Sequence, residues 1–380
     1  MASNSKTKAF TTVFVILFLL VLGAFYVYDE MDLSNDTVAA TQPTPENPDI
    51  VKLTPELVEA VKRYDEVYEF SEGLARVVKD HSSGFINTKG EEVIPCIYDY
   101  AAPFVKGIAL VTQYDRWGYI NTHGEDITPC IYKLARSFSE GFASVQEDDK
   151  WGFINTKGED VIPFKYNCTY SFSEGLAGVS IAEDKWGFIN AKGEEVIPCI
   201  YNEISNFSGG LASVSKDYKY GFVNAKGEEV IPLIYDDVND FSGGFAAVCK
   251  SDKWGFINAK GAEIVPCIYD RVSSFAEGLA AVCKSDKWGF INAKGEEVIP
   301  FNFDDADTFS EGLAPCKKED KWGYINHKGE VVIPYRYDAA NAFINGLAIV
   351  ITANKWEYID KRSKAGGLSK VCPALPKSKV

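Results

Sequence analysis

Residues 246–261 read AAVCKSDKWGFINAKG, and residues 280–295 repeat the same sixteen letters 34 positions later. The Trp-Gly pair keeps this period along most of the chain, with one interval of 35 residues. Counting degenerate copies at both ends, the unit occurs nine times, at Ser83-Gly84, Trp117-Gly118, Trp151-Gly152, Trp186-Gly187, Tyr220-Gly221, Trp254-Gly255, Trp288-Gly289, Trp322-Gly323 and Trp356-Glu357. A fixed period of this length predicts a repeat architecture in which each unit stacks on its neighbours.

One unit predicts short β-strands separated by turns. In residues 278–300 the runs LAAVC, WGFIN and EVIP are separated by the polar segments SDK and AKGE. Short runs rich in β-branched and aromatic residues are typical of strands, and the Gly of AKGE suits a turn that needs a positive φ. The sequence therefore predicts an all-β fold of tandem three-stranded antiparallel meanders, with the link at 267–278 as a candidate fourth, irregular strand.

Two architectures stack such meanders, a closed β-propeller and an open β-solenoid or spiral. The part of the unit that contains Trp-Gly occurs nine times, whereas the Ile-Pro part occurs eight times. A ring closed by a shared sheet needs equal numbers of each strand, and nine units exceed the usual range of roughly 4–8 blades. The count weakens the propeller alternative, and both architectures stay open.

The unit YDxVxxFSEGLAxVxxxDKWGFINxKGEEVIP resembles the WG repeat, also called the KWG repeat, of bacterial proteins. The resemblance covers roughly residues 64–360. It implies a β-rich repeat fold and a bacterial source, and it implies no reaction.

The Trp-Gly pair is interpreted first as a packing device. The Trp is expected to fill the space between adjacent units, and the Gly to let a neighbouring backbone or ring pack against the strand. The alternative is a row of aromatic rings that binds sugars or bases. Burial of the Trp rings distinguishes the two interpretations, because a binding row has to be exposed.

The N-terminal segment is predicted to be a membrane anchor. Residues 9–28, AFTTVFVILFLLVLGAFYVY, carry no charge, and twenty helical residues span about 30 Å, the thickness of a bilayer core. Two lysines precede the segment and three acidic residues follow it, so the positive-inside rule places residues 1–8 in the cytoplasm and the repeats outside. The alternative is a cleaved signal peptide, which would release a secreted protein.

The remaining segments flank the repeats. Residues 29–55 are polar and rich in Pro, and they are predicted to be a linker. Residues 56–360 form the predicted repeat domain, and its first residues, 56–63, are expected to form a short helix that caps the first unit. Residues 361–380 carry six basic residues and no acid, and they are predicted to be a disordered tail. Without that tail the formal net charge of −15 becomes −21.

A search for catalytic groups finds no candidate set. The chain has three histidines, His81, His123 and His327, and the last two lie in or beside the Lys-Gly turn. No zinc-protease, phosphate-loop or dinucleotide motif occurs. Glu pairs such as Glu296-Glu297 recur beside the turn, where an exposed strand end explains them better than acid–base catalysis does. The sequence therefore predicts that the protein is not an enzyme and assigns no catalytic residue.

The nine cysteines do not predict a metal or cofactor site. No C-x-x-C and no Cys–His cluster occurs. Cysteines that follow the repeated Pro share a slot with Phe, Leu and Tyr, so the slot is interpreted as apolar packing; they are Cys96, Cys130, Cys199 and Cys267. Cys249 and Cys283 fill a second repeated slot. Disulfides between neighbouring copies remain open.

These observations lead to three functional hypotheses, none with an identified binding residue. The first is a membrane-anchored, non-enzymatic repeat domain that presents an extended surface to a protein or an envelope polymer outside the cytoplasm. The second is a lectin-like propeller that binds carbohydrate, and the third and weakest is an enzyme with a site in a central channel. Nucleic acid is disfavoured as a partner, because the acidic repeats would repel phosphate.

Overall fold

The computed structural model describes residues 54–353 and 355–361. The predicted transmembrane helix at 9–28 lies outside the described residues. Most of the predicted linker at 29–55 and nearly all of the predicted basic tail at 361–380 also lie outside them. Within the described part of the chain, no helix is long and apolar enough to cross a membrane.

The described residues form one helix followed by nine antiparallel sheets, all within the unit Val51–Val380. Helix α1 spans Pro55–Val61. Sheets 1 to 3 contain β1 Glu66–Ser71, β2 Leu74–Lys79, β3 Ser82–Asn87 and β4 Glu92–Tyr98; β5 Tyr100–Ala101, β6 Ile108–Gln113, β7 Arg116–Asn121 and β8 Asp126–Tyr132; β9 Leu134–Ala135, β10 Phe142–Glu147, β11 Lys150–Asn155 and β12 Asp160–Tyr166. Sheets 4 to 6 contain β13 Cys168–Ser173, β14 Leu176–Ala182, β15 Lys185–Asn190 and β16 Glu195–Tyr201; β17 Glu203–Ile204, β18 Leu211–Lys216, β19 Lys219–Asn224 and β20 Glu229–Tyr235; β21 Asp237–Val238, β22 Phe245–Lys250, β23 Lys253–Asn258 and β24 Glu263–Tyr269. Sheets 7 to 9 contain β25 Arg271–Val272, β26 Leu279–Lys284, β27 Lys287–Asn292 and β28 Glu297–Phe303; β29 Asp305–Ala306, β30 Ala314–Lys318, β31 Lys321–Ile325 and β32 Val331–Tyr337; β33 Ala339–Ala340, β34 Leu347–Thr352 and β35 Lys355–Asp360.

Each of sheets 1 to 8 has four strands in chain order, so the predicted three-stranded meander is one strand short. The candidate fourth strand in the link at 267–278 is confirmed, because Arg271–Val272 pairs with the next strand. The additional first strand comes from the link between units, as in sheet 7, where Arg271 lies opposite Cys283. This strand has two residues in most of the sheets but six in sheets 1 and 4. Tyr68 and Tyr170 lie in those two longer strands, and aromatic residues favour extended backbone.

The three predicted strands are confirmed within each four-stranded sheet. In sheet 7, LAAVC and WGFIN pair from Leu279 opposite Asn292 to Lys284 opposite Lys287. The turn after WGFIN has Gly295 at φ +77°, and its N–H donates to the Asn292 carbonyl at 2.9 Å. The predicted role of this Gly in a positive-φ turn is therefore confirmed.

The extra residue of the 35-residue interval lies within a strand of sheet 4. In sheet 4, Ser180 lies opposite Trp186, but the next pair joins Ala182 to Lys185. Ile181 is therefore the extra residue of a β-bulge, and its side chain is exposed. The bulge keeps Trp186 in register with the other Trp residues.

The core lies between consecutive sheets. Between sheets 7 and 8, for example, Phe290 and Ile299 of one sheet pack with Ala314 and Ile325 of the next, and all four are buried. A comparable buried layer joins each consecutive pair from sheet 1 to sheet 9. Each sheet buries its faces only against its neighbours, as expected for a stacked repeat protein.

Helix α1 covers the outer face of sheet 1. Its buried side chains Leu57 and Ala60 belong to the same apolar cluster as residues of sheet 1. A β-carbon on Gly90 would lie 2.4 Å from the β-carbon of Ala60, whereas the equivalent Gly124 of sheet 2 faces Ile94 of sheet 1. The helix thus takes the place of a preceding sheet, which confirms the predicted cap.

The helix begins where its sequence predicts a start. The Thr54 side chain accepts a hydrogen bond from the Leu57 N–H at 3.2 Å, and Pro55 follows in the first turn. An N-cap hydroxyl and a Pro at the first helical position both favour helix initiation. The observed helix, Pro55–Val61, is shifted slightly from the predicted 56–63.

Sheet 9 differs from the others because its described residues form three strands. The missing strand corresponds to the Ile-Pro segment, which the sequence contains eight times rather than nine. The face of sheet 9 that would meet a following sheet carries Leu347, Trp356 and Tyr358, and all three are exposed. The equivalent Leu313 and Tyr324 of sheet 8 are buried against sheet 9. The two ends of the described array are therefore unlike.

Candidate functional site

The Gly of each Trp-Gly pair lies against the backbone of the fourth strand. A β-carbon on Gly255 would lie 2.4 Å from the carbonyl oxygen of Val265 and 2.7 Å from the nitrogen of Cys267. The other Trp-Gly copies, and Gly221 after Tyr220, show the same close approach. This confirms the prediction that the Gly admits a neighbouring backbone. The ninth copy has Glu357 at this position, and the described residues of sheet 9 include no fourth strand to approach it.

The Trp rings are less uniformly buried than the packing interpretation predicts. Trp151 and Trp288 are each 6% exposed and belong to layers between sheets. Trp356 is 56% exposed. The remaining Trp rings are half-buried; they are Trp117, Trp186, Trp254 and Trp322. The packing role is thus confirmed for these two copies, and the four half-buried rings also pack against layers between sheets. The ring at the end of the array departs from it.

A repeated Asp joins consecutive sheets at one corner of the array. Asp304, between sheets 7 and 8, accepts from Lys287 Nζ at 2.6 Å and from the backbone N–H of Glu319 at 2.8 Å. Asp270 makes the same two bonds to Lys253 and Ser285. The hydrogen bond from Lys253, followed by that from Ser285, lowers the pKa of Asp270 below its usual range.

A second repeated carboxylate links the turns that precede the second strands. The Glu72 oxygens accept from the N–H groups of Lys106 and Gly107 in the next unit, at 2.6 and 2.8 Å. Equivalent bonds are made by Glu140, Glu174, Glu277 and Glu311. Other copies have Lys106, Gly209 or Gly243 at this position, so the series is interrupted.

The histidines form no catalytic pair in the described residues. His327 lies on the turn of sheet 8, where its ring stacks on Phe309 at 4.2 Å and its Nε2 lies 3.1 Å from Glu277. His123 lies on the equivalent turn of sheet 2, and its backbone N–H donates to Asn121. His81 lies in the tight turn between β2 and β3, at φ +67°. The three residues are thus separated among sheets 1, 2 and 8.

The cysteines that follow the repeated Pro lie on the fourth strands. The Sγ atoms of Cys96, Cys130 and Cys199 lie 3.7–4.0 Å from backbone carbonyls of the second strands. The eight described cysteines are free thiols. Burial raises the pKa of the Cys199 thiol to about 11, so this thiol stays protonated at neutral pH and is a poor metal ligand. In the described residues no group of acids, cysteines and histidines could hold a metal ion.

The Glu pairs have a structural role that sequence reasoning missed. Glu296 accepts from the Asn292 side-chain amide at 2.7 Å, and its N–H donates to the Asn292 oxygen at 3.1 Å. The first Glu of the pair therefore closes the turn, and the second, Glu297, begins the exposed fourth strand. The repeated Asn at the end of WGFIN was the available signal, since Asn commonly bonds to its own turn.

The fourth strand of each sheet exposes alternate apolar residues. In β20, Val230, Pro232 and Ile234 share the outward side, and the intervening Ile231 is buried. The Ile at the last of these positions is 44–54% exposed in five sheets, at Ile97, Ile131, Ile200, Ile234 and Ile268. We call these five Ile residues, with the Val or Ile and the Pro that precede each of them, the fourth-strand surface.

The fourth-strand surface is interrupted at defined sheets. The Ile position is taken by Lys165 in sheet 3, Asn302 in sheet 7 and Arg336 in sheet 8. The fold therefore accepts polar and charged side chains at this position. Each fourth strand is the edge of its sheet, and its Pro, which lacks an N–H, is suited to an edge strand.

The sheets and their repeated contacts define a tandem-repeat β protein. A family model described as "WG containing repeat" matches nine segments: 61–80, 84–117, 117–151, 151–185, 186–220, 220–254, 254–288, 288–322 and 322–356. The chain belongs to this WG-repeat family. No curated protein matches the chain.

Solved structures resemble the chain only distantly. A eukaryotic initiation factor is 8% identical with a TM-score of 0.48, covering 78% of this chain and 90% of that one. BamB from Moraxella catarrhalis is 11% identical with a TM-score of 0.37, covering 68% and 92%. PorZ of Porphyromonas gingivalis is 8% identical with a TM-score of 0.29, covering 81% and 52%. At these scores no functional property passes from those proteins to this chain.

Proposed function

We propose that the protein is a membrane-anchored, non-enzymatic repeat protein that presents the fourth-strand surface to a partner protein outside the cytoplasm. The observation that carries the proposal is the exposure of Ile at the same position of five sheets. Isolated exposed Ile residues are ordinary, but a series at fixed spacing forms an extended apolar surface. Association with another protein would remove that surface from water.

The chemistry of the fourth-strand surface favours a protein over a hydrophilic envelope polymer. Val, Pro and Ile offer no hydrogen-bonding side chain, whereas the buried centre of a protein interface is apolar. The chain as a whole is acidic, with a formal net charge of −15, so basic groups around the partner's apolar contact would be favoured.

The positions of the ionisable groups support a non-enzymatic role. Asp270 and Asp304 hold neighbouring sheets together, and Glu277 accepts from Gly312 and contacts His327. These bonds recur because the repeat recurs. A catalytic site more often shows one unique cluster of titratable groups with perturbed pKa values.

The test uses a polar triple variant in the full-length protein: Ile200→Asn, Ile234→Asn and Ile268→Asn. Asn302 occupies the same position in sheet 7, so the variant is expected to fold. Partner proteins are captured by chemical cross-linking in the native membrane and compared with a control variant, Tyr218→Asn, in which a turn residue that is 93% exposed is changed.

The triple variant should lose the cross-linked partner, and the control should retain it. Equal cross-linking by the wild type and the triple variant would contradict the proposal. Cross-linking only to an envelope polymer would assign the surface to that alternative instead.

The membrane anchor is a separate part of the proposal and rests on the apolar sequence of residues 9–28. Protease added to intact spheroplasts should digest the repeats, and the anchor fragment should remain with the membrane. Protection of the repeats would contradict the proposed orientation. Recovery of the repeats in the medium with a new N-terminus would support the cleaved signal peptide.

Carbohydrate binding is the second candidate, favoured by the half-buried Trp rings. Trp186, for example, stacks on Tyr170 at 4.8 Å and is partly accessible. A glycan array separates the two candidates, because the partner-protein proposal expects no bound glycan. Binding that is lost in Trp186→Ala would support the lectin-like alternative.

We also infer that the array is open. Helix α1 occupies the outer face of sheet 1, so sheet 9 could not pack there without displacing Leu57 and Ala60. Among the described residues, sheet 9 also lacks the fourth strand that carries the buried Ile or Val of most other sheets. Both features support an array with two different ends.

A further inference from the structure

Sheet 9 carries an apolar face that no described residue covers. Ala348 and Val350 pack against sheet 8, so the alternate residues of β34 point to the opposite side. In the pairing with β35, Tyr358 lies opposite Ile349 and Trp356 lies opposite Ile351. We call this side of sheet 9 the open face, and it consists of Leu347, Ile349, Ile351, Trp356 and Tyr358.

The open face has the composition of a face that meets another sheet. Leu347 and Tyr358 are 38% and 39% exposed, whereas the equivalent Leu313 and Tyr324 of sheet 8 are 6% and 0% exposed. The rings of Trp356 and Tyr358 lie edge to face, with 5.8 Å between their centres. A contiguous apolar face of this kind indicates a binding surface.

At the other end of the array, a segment that flanks the repeats covers the terminal sheet. Helix α1 precedes the repeats and packs Leu57 and Ala60 against sheet 1. A short segment with two buried side chains is therefore enough to take the place of a neighbouring sheet. The segment that flanks the repeats on the C-terminal side is residues 362–380.

The C-terminal segment begins beside the open face. Asp360, the last residue of β35, lies opposite Leu347. Lys361 Nζ then donates to the Glu311 carbonyl at 2.7 Å and lies 2.9 Å from the Glu311 carboxylate, so the chain is held against sheet 8 at this point.

The segment is long enough to cross the open face. Residues 347–351 rise about 3.4 Å each, so the face is about 14 Å long. An extended chain covers about 3.3 Å per residue, so residues 362–367 span up to about 20 Å. A stretch that starts near residue 368 can therefore lie across the face.

That stretch is also the apolar part of the segment. Residues 368–376 read LSKVCPALP. Pro373 and Pro376 disfavour a helix here and favour an extended backbone in the residues before them. Alternate side chains of an extended chain share one side, so Val371, Pro373 and Leu375 can contact a single surface together.

The same stretch is poorly suited to become a regular fourth strand of sheet 9. VCPAL at 371–375 resembles VIPLI at 230–234 in β20, but Pro373 lies farther from Trp356 than Pro266 lies from Trp254. In the Gly copies, a β-carbon would lie only 2.4–2.8 Å from a backbone atom of the fourth strand. Glu357 has such a β-carbon. The open face is therefore a better place for the segment than the edge of β35.

Charge favours this segment over a second copy of the chain as the occupant. Residues 361–380 carry six basic residues and no acid, whereas the rest of the chain has a formal net charge of −21. Two open faces that met would bring two acidic arrays together. The segment is also attached to the array, which gives it an effective concentration on the order of millimolar.

We propose that residues 368–376 pack against the open face and cap the C-terminal end of the array. Their apolar side chains cover Leu347, Ile349 and Tyr358, which lie nearest to the start of the segment, and Trp356 remains exposed at the far end. This part of the tail is then ordered, in contrast to the disordered tail that its composition predicts. The contact does not depend on the fourth-strand surface or on its proposed function.

The first test is photochemical cross-linking of the full-length protein in detergent. The photoreactive residue benzoylphenylalanine replaces Leu375, and mass spectrometry identifies the peptides joined after irradiation. Cross-links within one chain to residues 347–358 are expected, with a yield that does not depend on protein concentration. Cross-links only between two chains would overturn the proposal and assign the face to a second copy. Absence of cross-links to β34 and β35 would overturn it as well.

The second test compares two acidic substitutions in the segment by the rate of tryptic cleavage after Lys370. A docked segment must detach before it is cut, so the rate reports how often it is free. Leu375→Asp should raise the rate at least about tenfold, because it places a charge in an apolar contact. Ser378→Asp adds the same charge outside the apolar stretch and should change the rate little. Equal rates for the two variants would overturn the role of Leu375.

The third test changes the open face itself and uses the same cleavage. Leu347→Asn should raise the rate at least about tenfold, because a polar side chain replaces an apolar contact. Ile234→Asn is the matched control, since Ile234 is similarly exposed, at 44%, but lies on sheet 5. Both positions are exposed, so both variants are expected to fold. Cleavage of Leu347→Asn at the rate of the control would overturn the assignment of the open face.

Discussion

Gly255 and Val265 approach so closely that a β-carbon on Gly255 would lie 2.4 Å from the Val265 carbonyl oxygen. The Gly of the Trp-Gly pair is therefore required by the fourth strand, whose backbone passes close to it, and not by the neighbouring Trp. The one copy without this Gly, at Glu357, lies in the one described sheet without a fourth strand. The repeated Gly of the family's Trp-Gly pair thus reflects a backbone contact that recurs in each four-stranded sheet.

The first prediction follows from this contact. Gly255→Ala should destabilise the protein by about 3 kcal/mol, because the new methyl group can be accommodated only if backbone atoms move. Glu357→Ala, at the equivalent position without a crossing strand, should change stability by less than about 0.5 kcal/mol. Urea unfolding measures both, and equal effects of the two substitutions would argue against the contact.

The second prediction concerns the unequal burial of the Trp rings. Trp151→Ala should cost about 3–5 kcal/mol, as expected for removal of a large buried ring. Trp356→Ala should change stability by less than about 0.5 kcal/mol, since that ring is exposed. The cost at the half-buried Trp254 should lie between them. Thermal unfolding of the three variants gives the order, and a small loss for Trp151→Ala would support an exposed binding row.

The third prediction concerns pH. The pKa of Asp270 is lowered in the folded protein by Lys253 and then by the Ser285 N–H. Lowering the pKa of a carboxyl on folding stabilises the protein above the ordinary pKa of about 4, and this contribution is lost as the pH falls through the folded value. Asp270→Asn should therefore reduce stability at pH 7 and have little effect near pH 2.

Chemical unfolding across this pH range checks the sign of the effect. Asn202 is a natural counterpart, because its side chain accepts from the Asp217 N–H at 3.0 Å without a charge. Asn202→Ala should accordingly show no such pH dependence. A larger effect of Asp270→Asn at pH 2 than at pH 7 would contradict the assignment.

The fourth prediction tests whether the array is open. Deletion of residues 262–295 removes one 34-residue period, and a stack in which units contact only their neighbours should remain folded with one sheet fewer. The product should be soluble and unfold cooperatively. A closed ring would have to change its angle at every interface, so aggregation of the deletion variant would favour the propeller. Circular dichroism melting distinguishes these outcomes.

The regular features of the fold could be predicted from sequence because Gly and Pro mark the turns and edges. The positions of Gly295 and of the Pro in each fourth strand follow from backbone constraints, which act locally. The short first strands could be predicted only as a candidate in the link at 267–278, since two residues such as Arg271–Val272 show no alternation. The loss of the fourth strand from sheet 9 was visible in the unequal counts of the two parts of the unit.

The candidate surfaces were harder to predict because they depend on contacts between sheets. Ile234 and the buried Ile231 lie in one apolar run, and the sequence does not show which of them faces outward. Leu347 and Tyr358 hold the same positions in their unit as Leu313 and Tyr324 hold in theirs. Only the packing of sheet 9 on sheet 8 shows that one pair is buried and the other exposed.

Helix α1, which caps sheet 1 through Leu57 and Ala60, also helps nearly identical units to fold against the correct neighbour. Sheets 6 and 7 share sixteen identical residues, so local sequence hardly distinguishes one from the other during folding. A pairing that skips a unit could be tolerated at many interfaces and would yield a misfolded chain with a looped-out segment. Helix α1 fits the first sheet through the contact of Ala60 with Gly90. At the other end, the ninth unit has Glu357 in place of the repeated Gly, and its described residues form no fourth strand. The two unlike terminal units therefore limit the ways in which the similar units between them can pair.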